Sequence, residues 1–353
     1  MENARLEGGK MGTSKIRTME EFAAVSGISR PTVSKYFHDP GSVRESTRLR
    51  IEAALEEYDY SPNIYAMNQN RRLTRSIGIM VPNLADPFFA EIARNIEGLV
   101  NDAGYRSILV SSHEGPRHEV DNFDSLRSLR PAGVLLAPVG RASDKDAVAA
   151  FVAEIPTVLF DSNIEGLGDA FVGHDNKQAT EIMVEYLVRT GEPPVFFEMR
   201  HPPNPNAYKR QKAYTGAMQA LGFDPQFIQI EGEGWDFEEI GYAEGMRVIA
   251  ERRLPSDTIL CSNDRLAIGL LAAAYEKGWR VGRGSGFALR IAGHDDHPFA
   301  RFTSPSLTTT AQNYTEIARH AVKTLFSLVE SRERAQERET TLFDGRLVMR
   351  ASA

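Results

Sequence analysis

Cysteine is nearly missing from this chain of 353 residues: Cys261 stands alone. One thiol cannot close an intrachain disulfide or build a cysteine metal site, so a disulfide framework is excluded and a reducing, cytoplasmic setting is expected. Long apolar runs are missing too. No stretch approaches the roughly 20 residues that cross a bilayer. The opening "MENARLEGGKMGTSK" has no apolar region of the signal-peptide kind. It is polar and glycine-containing, so residues 1–14 read as a disordered extension, with Met11 as a second candidate start. Nor is there a surplus of positive charge, because 41 Lys and Arg stand against 48 Asp and Glu, a formal net charge of −7. That excludes a protein coating nucleic acid over its whole surface, but not a local reading head. No G-x-S-x-G elbow with its partners is present, and "GRGSG" (282–286) follows a helix and reads as a flexible loop. His113, His118, His174, His294 and His297 lack metal-ligand spacing apart from "HDDH" (294–297), so neither metal nor cofactor is expected.

What is present is ordered into two kinds of pattern. At 42% hydrophobic and 25% charged residues, the chain is an ordinary globular one, long enough for two or three domains. Residues 16–60 predict three short helices. Thr18 with Glu21 forms a capping box, and Met19, Phe22, Ala23 and Val25 supply the buried side of the first helix. Gly27 suits a tight turn; Ser29 can cap the second helix, with Pro31 in its first turn. Val33 and Phe37 point inward, which leaves Arg30, Thr32, Ser34 and Lys35 outside. A third helix over about 44 to 58 carries Leu49, Ile51, Ala54, Leu55 and Tyr58 as its apolar stripe. Helix, glycine turn, short helix is the helix-turn-helix pattern, whose second helix enters the major groove by its N-terminal end. The plain alternative is a solvated polar face. Residues 61–75 then read as a hinge or basic linker, with Arg71, Arg72 and Arg75 placed to touch phosphates.

From Ser76 onward apolar strands alternate with amphipathic helices, which predicts parallel sheets covered by helices on both faces, split between two sheets. Ligands in such sheets bind at the carboxyl ends of strands. Asp86, Asp161, Asp175, Asn263, Asp264, Asp295 and Asp296 sit at such ends; singly, each also reads as a helix cap or a loop carboxylate. Asp295 and Asp296 are neighbours that point apart, which disfavours a catalytic pair. Cys261 reads as a small core residue.

Six blocks in order carry a family resemblance. They are "TMEEFAAVSGISRPTVSKYFHDPGSVRESTRLRIEAALEEYDYSPN", "IGIMVPNLADPFFAEIARNIE", "RQKAYTGAMQALG", "CSNDRLAIGLLAAAYEKGWRVG", "RIAGHDDHPFARFTSPSLTT" and "GRLVMRAS". From about Lys15 to Met349 the chain resembles the LacI/GalR family of bacterial transcription regulators, the lactose-repressor-like proteins. The resemblance implies an N-terminal all-α helix-turn-helix head (15–60) plus an α/β periplasmic-binding-protein-like core (76–353) of two doubly wound parallel-sheet subdomains. It divides them as 76–174 plus 307–340 and 175–306 plus 341–353. It implies a homodimer on double-stranded operator DNA, with a small sugar effector held between subdomains. By position it places Thr18, Ser29, Arg30, Pro31, Thr32, Ser34, Lys35, Thr47, Tyr60, Asn63, Met67 and Gln69 at DNA. It places Asp86, Phe88, Asp161, Arg210, Trp235, Asn263 and Asp295 at the effector, with His294 as a wall residue. Such a set suits vicinal hydroxyls and a sugar face. Three departures stand out. Gln69 occupies the place of a leucine that wedges into the minor groove, so Met67 or Gln69 must serve. Lys35 replaces a frequent arginine. No leucine heptads follow "GRLVMRASA", and "ESRERAQERET" (330–340) reads as a solvated helix end. A transport-type sugar-binding protein and an enzyme on the same fold remain the rival readings.

Overall fold

A capping box opens the first helix of the structure, a computed structural model that describes residues 16–38, 40–58, 60, 74–252, 254–331 and 338–353. Two units separate, Met1–Thr74 and Arg75–Ala353. Asn63, Met67, Gln69 and residues 61–73 of the expected hinge lie outside the described residues.

In the first unit, α1 (Met19–Ser26) is capped by Thr18, whose hydroxyl accepts from the Glu21 amide while Glu21 reaches back. Gly27 ends it at φ 62°, a left-handed conformation that costs glycine little. Then come α2 (Arg30–His38) and α3 (Glu45–Glu57). Phe22, Val33, Ile51, Ala54 and Tyr60 form the small core, with Tyr60 stacked on Phe22 at 4.7 Å. Two residues expected inside lie outside: Val25 is 47% and Leu49 57% exposed. Phe22 and Ile51 already fill the space between three short helices, so the flanks of each apolar stripe remain in solvent.

The second unit begins with β1 (Ser76–Val81) and α4 (Pro87–Asp102), then β2 (Arg106–Ser111) and α5 (Pro116–Leu129). Next are β3 (Gly133–Leu136), α6 (Lys145–Glu154), β4 (Thr157–Phe160) and β5 (Ala170–His174). The Arg75 carbonyl, expected in the hinge, already accepts from the Arg106 amide beside this sheet. Helix α7 (Asn176–Thr190) leads into a second set: β6 (Val195–Met199), α8 (Pro205–Ala220), β7 (Phe227–Ile230), α9 (Phe237–Ala250), β8 (Thr258–Cys261), α10 (Asp264–Glu276) and β9 (Arg290–Ala292). The chain closes with β10 (Thr309–Ala311), α11 (Tyr314–Ser331), β11 (Glu339–Phe343) and β12 (Arg346–Val348).

The first sheet runs β11-β5-β4-β3-β1-β2 and the second β7-β6-β8-β9, every pairing in both parallel. Central strands such as "GVLL", "TVLF" and "TILC" are buried throughout, as helices on both faces require. Cys261 is one of these core residues.

Two boundaries differ from the sequence reading. Residues 307–311 belong with the second sheet: β10 pairs with β12, and Thr308 and Ala311 bridge Ala292 and Asp295. The crossing to the first sheet therefore falls after Ala311. Glu339 and Thr340, the end of the segment read as a solvated helix end, and residues 341–343, assigned to the second subdomain, form a parallel strand beside β5, so the return crossing lies at 344–345. The polar sequence "ETTLF" was unreadable as a strand because β11 is an edge strand with its residues half-buried or exposed. Short β7 and β12 also escaped the periodicity test.

Among the described residues, no helix is long and apolar enough to cross a membrane, and no group of three His, Cys, Asp or Glu is placed to hold a metal.

Candidate functional site

On α2 the first turn faces outward. Arg30, Pro31, Ser34 and Lys35 are exposed and Thr32 is half-buried, its hydroxyl 2.8 Å from that of Ser29. Arg30 pairs with Glu20 at 2.5 Å, both well exposed. Such a pair is worth ~0–1 kcal/mol, so Arg30 is readily given up to another acceptor. Thr47 on α3 is half-buried. Two expected DNA residues have structural employment instead: the Thr18 hydroxyl caps α1, and the Tyr60 ring lies in the core.

In the second unit, strand ends of both sheets converge on one cavity. Its lining includes all seven residues that the sequence reading assigned to the effector: Asp86, Phe88, Asp161, Arg210, Trp235, Asn263 and Asp295. It also includes residues that reading missed, among them Phe89, Asn206, Phe237, Arg265, His297 and Gln312. His294, expected as a wall, is not in the lining; its Nδ1 lies 2.7 Å from the Thr310 hydroxyl. Asp175 and Asp296 are not in it either: Asp175 caps α7, and Asp296 pairs with Arg350 at 2.6 Å.

Asp86 caps α4 by accepting from the Phe88 amide at 2.9 Å, so the cap reading and the site reading hold together. Asn263 likewise caps α10 through the Leu266 amide at 2.8 Å. Asp161 ends β4 at φ 57° and is buried. Its carboxylate accepts from Asn206 (3.1 Å) and Ser162 (3.2 Å). Burial, with Asp295 nearby, pushes that carboxyl up to about 7.

Arg210 forms the floor. Its guanidinium grips Asp295 through both terminal nitrogens, at 2.5 and 3.1 Å. It also donates to the Ser262 carbonyl (2.8 Å) and Asn176 (2.7 Å). Burial works against ionisation of Asp295, but Arg210 outweighs it and holds the carboxyl below its usual value. Asp295 sits at φ 107°, a region that side chains rarely adopt, and Gln312 and Tyr314 bond its carboxylate and carbonyl.

Arg265 spans the opening. It donates to Asp86 at 3.0 Å and to Glu238 at 2.7–2.9 Å. Glu238 is within reach because α9 and α10 touch backbone to backbone: a Cβ on Gly269 would lie 2.1 Å from the Glu238 carbonyl. Further contacts cross between subdomains, among them Asn206 to Asp161, Arg141 over the Tyr208 ring at 4.3 Å, Lys209 over the Phe171 ring at 5.4 Å and Phe89 with Trp235 at 6.2 Å. With these in place the cavity volume is about 50 Å³. Ordinary ligand pockets are ~300 Å³ or more, so a ligand enters only when the halves part.

Some of the missed residues left a trace. "NPN" (204–206) is a helix start, Asn204 capping and Pro205 at the first position, and it brings Asn206 into the cleft. Arg265 and Gln312 carry no such signal in the chain.

Residues 18–63 match the family of bacterial regulatory proteins of the lacI type, and residues 184–353 match the periplasmic binding protein-like domain. The chain is 26% identical over 337 residues to the HTH-type transcriptional repressor PurR of Histophilus somni, covering 95% of this chain and 98% of that protein. It is 28% identical to the repressor CytR of Escherichia coli (95% and 96%) and 25% identical to the ribose operon repressor of the same organism (91% and 96%). Its fold is that of the lac repressor dimer bound to operator and the anti-inducer ONPF, with a TM-score of 0.78 at 23% identity over 96% of this chain and 99% of that one. The head with its capping box and outward-facing α2, the two parallel sheets and the cleft between them agree with these matches: the chain joins a helix-turn-helix domain of the lacI type to a periplasmic binding protein-like domain, as in the repressors it is similar to.

Proposed function

We propose that this protein is a sequence-specific DNA-binding transcription regulator, a repressor of carbohydrate-utilisation genes, whose operator affinity is switched by a small sugar. One observation carries the reading. A lacI-type head is joined to a core whose cleft gathers carboxylates, an amide and aromatic rings, the groups that bind hydroxyls and a sugar face. The transport-type rival shares the core but gives no reason for the head. The protein acts as a homodimer on a pseudo-palindromic operator, as two-fold symmetric helix-turn-helix proteins do. Arg30, Pro31, Thr32, Ser34 and Lys35 read base edges, and Ser29 and Thr47 hold the backbone.

Switching is a population shift between open and closed clefts. Coupling is reciprocal, so operator must change sugar affinity by the factor by which sugar changes operator affinity. The test is fluorescence anisotropy on DNA from upstream of the protein's own gene, at fixed salt, with and without mono- and disaccharides. Tight, sequence-specific binding moved by one sugar is the expected result. Absence of specific binding by a folded sample removes the regulator. Within that assay Arg30→Ala costs about 1–3 kcal/mol and relaxes selectivity at one base step; an equal loss on all sequences makes Arg30 a phosphate contact.

A further inference from the structure

Within the cleft, two side chains are fixed at one end and free at the other. His297 is 4% and Gln312 7% exposed, and both line the cavity. The Gln312 amide nitrogen donates to Asp295 at 2.7 Å. This turns its carbonyl oxygen away as an acceptor, and Oε1 has no hydrogen-bond partner among the described residues. His297 Nδ1 accepts from the Phe299 amide at 3.2 Å. Nδ1 is therefore the bare nitrogen, and the proton of the neutral ring sits on Nε2, which also has no partner among the described residues. Burial lowers the affinity of this ring for a second proton, against the pull of Asp86 and Glu238. The lining thus contributes one buried donor and one buried acceptor of known polarity, each costly to leave unmet.

The charges nearby decide what kind of molecule meets them. The cavity is lined by four carboxylates, those of Asp86, Asp161, Asp264 and Asp295, and by two guanidinium groups. Both guanidinium groups have partners in their own subdomain, which parting of the halves does not remove: Arg210 has Asp295, Ser262 and Asn176, and Arg265 has Glu238, its bond to Asp86 being the one that crosses the cleft. Asp161 and Asp264 make no ion pair among the described residues and accept only from neutral donors; the Lys209 ammonium, which favours the ionised form of Asp161, lies outside the lining and donates to Asn206 at 3.0 Å. An anionic group would have to strip a guanidinium from its partner and then lie among carboxylates left uncompensated. A hydroxyl needs no such exchange, since it donates to a carboxylate or to Gln312 and accepts from His297.

We infer that the effector is an uncharged, hydroxyl-bearing ring without phosphate or carboxylate, and that His297 and Gln312 are its specificity-determining pair, His297 as donor and Gln312 as acceptor. This rests on the effector reading of the cleft and narrows it. The same chemistry is offered by a free sugar and by the sugar ring of a nucleoside.

The test is calorimetric titration of the full chain with pentoses, hexoses and nucleosides, each beside its phosphate ester. At least one uncharged probe binds, and its ester binds at least about 100-fold more weakly, as expected where a charge must be buried without a free partner. The winning probe tells sugar from nucleoside. His297→Phe and Gln312→Leu each weaken that probe about tenfold or more, the usual cost of leaving a buried polar group unmet. His297→Gln, which keeps an N–H donor, binds within a few-fold of wild type, and Gln312→Met stands in if the leucine variant does not fold. A phosphate ester binding as tightly as its parent overturns the inference, as does wild-type affinity in both apolar variants. Failure of every uncharged probe at millimolar concentration also overturns it. Operator binding by the same preparation separates the two readings. Specific DNA binding without any probe leaves the regulator standing and this inference fallen; probe binding without DNA binding does the reverse.

Discussion

The two sides of the cleft carry carboxylates alike but differ in where their cations lie. The first subdomain brings carboxylates and rings, Asp86, Asp161, Phe88 and Phe89, and no cation to the lining. The second brings both guanidinium groups, the amides of Asn206 and Asn263, and Trp235, together with the carboxylates of Asp264 and Asp295. Acceptors on one side thus meet donors on the other: Arg265 reaches Asp86, and Asn206 reaches Asp161. The two ion pairs differ accordingly. Arg210–Asp295 lies within the second subdomain and shapes the floor, whereas Arg265–Asp86 exists only when the halves meet. One pair belongs to the architecture of a half, and the other to the equilibrium between halves.

Breaking the floor is expected to have the largest effect. Asp295→Ala leaves Arg210 buried without its bidentate partner, a loss of about 3–5 kcal/mol of stability by denaturant titration. A loss under ~1 kcal/mol would mean that solvent reaches Arg210 and that the pair is not the floor. Breaking the bridge costs less and shows elsewhere. Arg265→Met removes charge-assisted bonds worth about 1–3 kcal/mol, and the radius of gyration from small-angle scattering rises as the cleft opens. Unchanged scattering would assign closure to the other contacts across the cleft instead, such as Asn206 with Asp161 and Phe89 with Trp235.

The smallest effect sharpens the acceptor side. Asp161 titrates at about 7 in the folded protein because it is buried. An unfolded aspartate titrates near 3.9, so the protonated carboxyl favours the folded state. That contribution is complete below pH ~4 and is lost as pH rises through about 7. Asp161→Asn removes this slope, so its denaturant midpoint gains on wild type as pH increases. Parallel pH curves for the two proteins would show Asp161 to be solvated. Glu198, also raised by burial to about 7, sits outside the cleft lining and contributes a similar slope to both proteins.

Much of this was legible in the chain before any coordinates. The capping box of Thr18 and Glu21, the turn at Gly27 and the strand–helix alternation are local signals, and they gave the head and the sheet class. The seven effector positions came from family resemblance, and the cavity gathers them. What stayed hidden was partnership at a distance. Arg265 and Asp86 are separated by 179 positions, and Gln312 and Asp295, 17 positions apart, meet beside the parallel bridge of Asp295 with Ala311, which no period announces. The exposure of Val25 and Leu49 was hidden as well, because a periodicity marks a face but not how much of it a small core can cover. At β11 the polar sequence belongs to an edge, where one open side needs no apolar residues.

That last strand sets a condition on how the protein is made. The first sheet begins at Ser76, yet its outer strand and the helix lying over it come from residues 314–343. While the ribosome is still working through the second sheet, β5 has an unpaired flank and the sheet lacks one of its helical covers. The first half of the cleft is thus among the last parts of the protein to be finished. Until then, the growing chain carries an open, hydrogen-bonding edge that must be kept from other chains.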